Sequence, residues 1–87
     1  ALDVYGWFAT QYPDVAEHHG NLGIVYLLLG EDRAAIDQLR RAVELDPRER
    51  RYLLNLERAY RRAGEPERAD ETAQRYRELA PTSGPRP

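Results

Sequence analysis

The residue types that usually carry chemistry are sparse in this sequence and badly spaced for it. His18 and His19 are neighbours; on a helix, adjacent side chains point about 100° apart, so the two cannot close on one metal ion. Cysteine is absent, which removes thiolate nucleophiles, thiolate metal ligands and disulfides. Ser83 and the threonines have no base beside them, so no hydroxyl is set up for nucleophilic attack. Glu67 and Glu71 form a carboxylate pair inside a charge-rich helical segment, where a solvated face is the ordinary role. Gly20, Gly23 and Gly30 fall at helical positions and do not form a phosphate-cradling loop. The expectation is a chain that is not an enzyme, with no catalytic residue, no metal and no cofactor.

One spacing points to recognition instead. Arg51, Asn55, Arg58 and Arg62 recur at i, i+4, i+7 and i+11, which puts them on one stripe of a helix. An apolar stripe, Leu53, Leu56, Tyr60 and Ala63, runs beside it. An equivalent stripe earlier in the chain reads Glu17, Asn21, Ile24 and Leu28. A groove built from both would be apolar at one end and cationic at the other. The competing reading is a solvated face whose arginines pair with Glu57, Glu65 or Glu67.

The elements that must position these stripes are helices in a repeat. When residues 16–49 are laid over 50–83, ten of 34 pairs are identical: Asn21/Asn55, Leu22/Leu56, Tyr26/Tyr60, Gly30/Gly64, Glu31/Glu65, Ala35/Ala69, Arg41/Arg75, Glu44/Glu78, Leu45/Leu79 and Pro47/Pro81. A period in this range marks stacked supersecondary units. Leu22 with Tyr26, and Leu56 with Tyr60, are four apart on one helical face. Gly30 and Gly64 stand where a helix must stop, because glycine accepts the left-handed cap conformation. The punctuation predicts helices over 2–11, 15–29, 32–45, 48–63 and 66–79. Asp14 with Glu17, and Asp46 with Glu49, have the spacing of capping boxes, and Pro47 and Pro66 suit first helical positions. One continuous core layer is expected from Leu22, Tyr26, Ala35, Leu39, Ala42, Leu53, Leu56, Tyr60 and Ala69.

The segment from His19 to Pro47 resembles a tetratricopeptide repeat (TPR), whose pattern is W-x2-L-G-x2-Y, then A-x3-F, then P, in a unit of about 34 residues. Leu22, Gly23, Tyr26, Gly30, Ala35, Ala42 and Pro47 match it, with Leu39 in the usual aromatic place and His19 in the usual Trp place. The second copy matches at Leu53, Leu56, Tyr60, Gly64, Ala69 and Pro81; Glu57 departs from the small residue, and Ala73 and Tyr76 exchange large for small. The resemblance implies an all-α, right-handed αα-superhelix of about two and a half repeats and five antiparallel helices. The divisions are 1–13, the second helix of a truncated preceding repeat; 14–48 and 49–81, two repeats; and 82–87, a flexible Pro/Gly-rich tail or linker. The chain begins at Ala1 without a leader pattern and is expected to be a piece of a longer protein.

The resemblance also implies a function. The first helices of such repeats line a concave face where protein or peptide segments lie, so the expected groove is Asn21, Ile24, Leu28, Arg51, Asn55, Arg58 and Arg62, and the expected ligand is a segment, acidic by preference. Asn21 and Asn55 occupy the place where such proteins bond a peptide backbone, a task that suits an amide's paired donor and acceptor. His19 is expected to pack between helices. The carboxylate grip known for some members matches only in part: Arg51 and Asn55 fit, but Gly20 and Ile24 stand where polar groups are needed.

The aromatics of the first segment carry the alternative. Tyr5 and Phe8 would cover a first helix that the segment lacks, and Trp7 and Tyr12 add apolar surface, so Tyr5, Trp7 and Phe8 are the expected contact of a homodimer or of a missing part of the longer protein; the competing reading is that they fold back onto residues 15–29. Nucleic-acid binding through Arg50, Arg51, Arg58, Arg61 and Arg62 is the third and least favoured reading, since the formal net charge is −2, and nucleic acid is not an expected partner. Membrane is not expected either, since no apolar run approaches the roughly 18 residues that a span needs.

Overall fold

The computed structural model describes residues 2–79. The tail expected at 82–87 lies outside the described residues. Five helices follow in order: α1 (Leu2–Gln11), α2 (Ala16–Leu28), α3 (Asp32–Leu45), α4 (Arg50–Arg62) and α5 (Pro66–Glu78). They form the αα-solenoid expected from the repeat. α2 packs on α3, α3 on α4, and α4 on α5, while α1 packs on α2 alone among the described elements.

The turns inside each repeat are built identically. Gly30 and Gly64 take φ of 78° and 80°, the left-handed region that disfavours a β-carbon. At the first turn Glu31 N–H donates to Tyr26 O at 2.9 Å and Gly30 N–H to Leu27 O at 3.1 Å. At the second, Glu65 N–H donates to Tyr60 O at 2.9 Å and Gly64 N–H to Arg61 O at 3.1 Å. This is the paired-bond C-terminal cap that satisfies the last carbonyls of a helix.

The helix starts differ from expectation. Asp14 does not cap α2: the N-cap is Val15, without a side-chain bond, and Asp14 instead pairs with Arg41 at 3.6 Å. Asp46 and Pro47 do not open α4 either. The chain turns through Pro47 and Arg48, and Glu49 is the N-cap, its carboxylate accepting from Arg51 N–H at 3.3 Å. Pro66 does open α5, but the Glu65 side chain bonds Arg33 and Arg68 and makes no cap.

Eight of the nine expected core residues are buried; Tyr26 is half-buried at the edge of the cluster. Leu39 and Leu53 are wholly enclosed, each worth about 1.5–3 kcal/mol relative to exposure. Ile36, Val43, Tyr52 and Ala59 join them. Close approach is secured by small residues. A β-carbon on Gly23 would lie 2.6 Å from Leu39 Cγ, and one on Gly20 would lie 2.4 Å from the Tyr52 ring. α2 can therefore sit against α3 and touch α4 only because these two positions carry no side chain. In the second repeat Tyr76 is half-buried beside the core, and the Arg50 guanidinium sits 4.0 Å above its ring, a cation–π contact.

His19 occupies the packing role expected of it. It is buried; Nε2 lies 2.8 Å from Pro13 O and Nδ1 lies 2.8 Å from Gln38 Oε1. Pro13 O can only accept, so Nε2 carries a proton. Both ring nitrogens lie within hydrogen-bond distance of these groups, which links the α1–α2 turn to α3.

Candidate functional site

α2 and α4 run side by side, and their outer stripes face a common recess of about 480 Å³ lined by Ile24, Leu27, Leu28, Asn55, Arg58, Arg61 and Arg62. Five of the seven residues expected in the groove, Ile24, Leu28, Asn55, Arg58 and Arg62, are brought together here. Leu27 and Arg61 were missed. The signal that finds them is the repeat itself: Ile24, Leu27 and Leu28 stand one repeat before Arg58, Arg61 and Arg62. The same three helical positions are apolar in one repeat and arginine in the next.

The other two expected residues lie elsewhere. Asn21 lines a second recess of about 450 Å³ between α1 and α2, with Val4, Tyr5, Phe8, Glu17 and His18. Arg51 stands at the start of α4, outside both. Its guanidinium Nε meets Glu49 at 3.1 Å. The Arg51 side chain, and next its backbone N–H, hold the Glu49 carboxyl below its ordinary range, while Glu49 raises the guanidinium further.

The arginines of the recess differ in how they are engaged. Arg62 Nη1 donates to Leu27 O at 3.0 Å, and its Nε lies 3.3 Å from Asp32 Oδ1. A cation is favourable at the C-terminal end of α2, so Arg62 fastens α4 to the α2–α3 turn. Arg61 bridges Asp70 at 2.9 Å and Glu57 at 3.1 Å, which together hold it more firmly protonated. Arg58 makes no ion pair among the described residues. Asn55 Nδ2 donates to Arg51 O at 3.0 Å, which leaves its Oδ1 as an acceptor. Opposite Arg58, Leu28 is 82% exposed. The recess therefore offers an apolar wall, one uncommitted guanidinium and one amide oxygen.

A third recess, of about 370 Å³, lies between α3 and α5 and includes Arg40, Glu44, Arg68, Glu71 and Arg75. Both signs of charge line it, so it favours neither an acid nor a base. Among the described residues no group of three or more His, Cys, Asp or Glu could hold a metal ion, and no helix is long and apolar enough to cross a membrane.

The α1 aromatics form one cluster. Trp7 and Phe8 meet edge to face at 5.1 Å, Phe8 and Tyr12 stack at 6.4 Å, and His18 lies 5.1 Å from Phe8. Tyr5 and Phe8 are 36% and 39% exposed, and Trp7 is 52% exposed.

Comparison with known proteins agrees with this architecture. No curated protein matches the chain. Among solved structures, the crystal structure of MamA protein superposes with a TM-score of 0.84 at 23% identity. The match covers 91% of this chain and 43% of that one, so the chain spans less than half the length of this structural neighbour. The tetratricopeptide-repeat profile matches twice, at residues 19–51 and 53–85. Such repeats serve generally as non-enzymatic scaffolds for protein–protein interaction. With the two matches covering most of its length, the chain belongs to the tetratricopeptide-repeat family.

Proposed function

We propose that the recess between α2 and α4 is the docking groove of a protein-interaction module, and that it takes an extended or helical segment carrying an acidic side chain next to an apolar one. The observation that supports this reading is the pairing of Arg58, without an ion-pair partner among the described residues, with the exposed Leu28 and the half-buried Ile24 across one recess. An acidic group reaching Arg58 gains a charge-assisted bond. An apolar neighbour on the same segment covers the leucine wall, which water otherwise solvates. Asn55 Oδ1, whose amide NH2 is engaged with Arg51 O, accepts a backbone N–H of that segment in this reading. Arg62 and Arg61 are engaged within the fold and contribute field rather than direct grip.

The test is a fluorescence-anisotropy titration with short labelled peptides that alternate Glu and Leu, against matched peptides with Lys in place of Glu. The Glu series binds and weakens as salt rises, because exposed charge pairs are screened. Arg58→Glu abolishes this binding and leaves the helical circular dichroism unchanged. Equal affinity of parent and Arg58→Glu for the Glu series would make the stripe a solvated face. Arg62 is unsuited to the same test, since its loss also releases Leu27 O and Asp32.

A further inference from the structure

We propose that the chain self-associates through α1, as a two-fold dimer in which the α1 faces of two copies pack antiparallel. The first observation is where the apolar surface lies. Of the eight exposed large hydrophobic residues among those described, Val4, Tyr5, Trp7, Phe8, Tyr12 and Val15 sit on α1 or the turn after it; Leu28 and Leu29, at the end of α2, are the other two. Among the described residues the opposite end offers nothing to match. α5 exposes no large apolar side chain, and its outer positions are Glu67, Arg68, Asp70, Glu71, Arg75 and Arg77. A head-to-tail contact would press the aromatic end of one copy onto charges that are hydrated, at a desolvation cost. The surface chemically suited to α1 is another α1.

Charge and shape favour the same arrangement. Asp3 is the one charged residue within α1, and it lies in the first turn. In an antiparallel pair the two Asp3 carboxylates fall at opposite ends and do not oppose each other. Val4 and Phe8 are four apart and form a ridge along the helix. On one side is the recess with Tyr5 and His18, and on the other a hollow of about 270 Å³ formed with Asp3 and Trp7. A ridge beside a hollow is self-complementary under a two-fold axis, each ridge entering its partner's hollow.

The area sets the strength. Whole aromatic side chains bury ~150–250 Å² each, and these are between a third and half exposed, so the face offers on the order of 500 Å² per copy. Stable complexes bury about 800 Å² per partner. The dimer is therefore weaker than a stable complex of standard size. It involves neither Arg58 nor the leucine wall of the α2–α4 recess, so it stands independently of the docking groove.

Trp7 is the sole tryptophan and reports the contact directly. Sedimentation equilibrium of the 87-residue chain from about 1 µM to 1 mM gives a mass rising from monomer to dimer. Trp7 emission shifts to the blue over the same range. Val4→Glu, at an exposed position, stays monomeric with unshifted emission and unchanged helix content, and Phe8→Ser does likewise. Leu29→Ser associates as the parent does. A parent that remains monomeric across that whole range, a mass that grows past the dimer, or a Val4→Glu protein that still dimerises would each overturn the proposal.

Discussion

Tyr5 and Phe8 on α1 stand 34 residues before Leu39 and Ala42 on α3, yet among the described helices α3 is enclosed on both sides and α1 on one. Leu39, on α3, is fully enclosed; Tyr5 is 36% exposed. Ala42 is fully enclosed and its counterpart Phe8 is not. The cause is the neighbours. α3 is clasped by α2 on one side and α4 on the other, whereas α1 meets α2 alone. The lesson is that a solenoid helix does not own a core. Each one supplies two half-faces, and burial belongs to the stack.

Substitution at the paired positions tests this most strongly. Leu39→Ala removes a side chain enclosed on every side and opens a cavity where α2, α3 and α4 meet. The expected loss is about 2–5 kcal/mol, enough to unfold most of so small a chain. Tyr5→Ala, measured at low micromolar concentration, costs about 1–2 kcal/mol, since solvent already reaches part of the ring. Urea titration of both variants compares them. Equal losses would show that the α1 face is covered in solution as fully as that of α3.

The glycines give a second, smaller contrast. Gly23→Ala places a β-carbon 2.6 Å from Leu39 Cγ, and Leu39 has nowhere to move. It destabilises by about 1–2 kcal/mol despite the better helix propensity of alanine. Gly6, in the middle of α1, has nothing within 4 Å of an added β-carbon. Gly6→Ala therefore stabilises by about 0.5–1 kcal/mol through the helix term alone. Thermal melts that move in opposite directions for the two variants separate the clasped helix from the bare one. A Gly6→Ala variant that loses stability would place an unseen contact on that face.

Much of this was legible before any coordinates. The repeat period located the helices and turns, because Gly30, Gly64 and the Leu/Tyr pairs recur where backbone geometry and packing require them. The helix starts were not legible in the same way. Asp14 and Asp46 have capping spacing, but spacing cannot say that Asp14 is drawn to Arg41 or that Pro47 belongs to the turn. In the groove, the stripe pattern selected Arg58 and Leu28 but could not separate Arg58 from Arg62. Both share a helical face, and only the fold brings Leu27 O and Asp32 to one of them. Tyr52 was invisible as core for a related reason: its place over Gly20 depends on a glycine in the other repeat, where the counterpart of Gly20 is Leu54.

The smallest expected effect concerns how the two first helices begin. Val15 and Glu49 are equivalent N-caps in successive repeats, but only Glu49 bonds its helix, through Arg51 N–H. Its carboxyl is held below the ordinary 4.5, first by the Arg51 side chain and then by that N–H. The folded state therefore binds the proton more weakly than the unfolded chain does. The stabilisation is complete above 4.5 and is lost as pH falls through the lower folded value. Because the pair is open to solvent, the amount is about 0.5 kcal/mol or less. A melting temperature is a blunt measure of so little, since other carboxylates titrate in the same range. Amide exchange is local: on acidification below 4.5, protection of the Arg51 N–H falls relative to that of Glu17 at the equivalent place in α2, after correction for intrinsic rates. Glu49→Gln, which keeps an acceptor oxygen but no titrating charge, removes that pH dependence. If protection at Arg51 and Glu17 fell together in the parent, the two helix starts would be alike, and the cap would contribute nothing of its own.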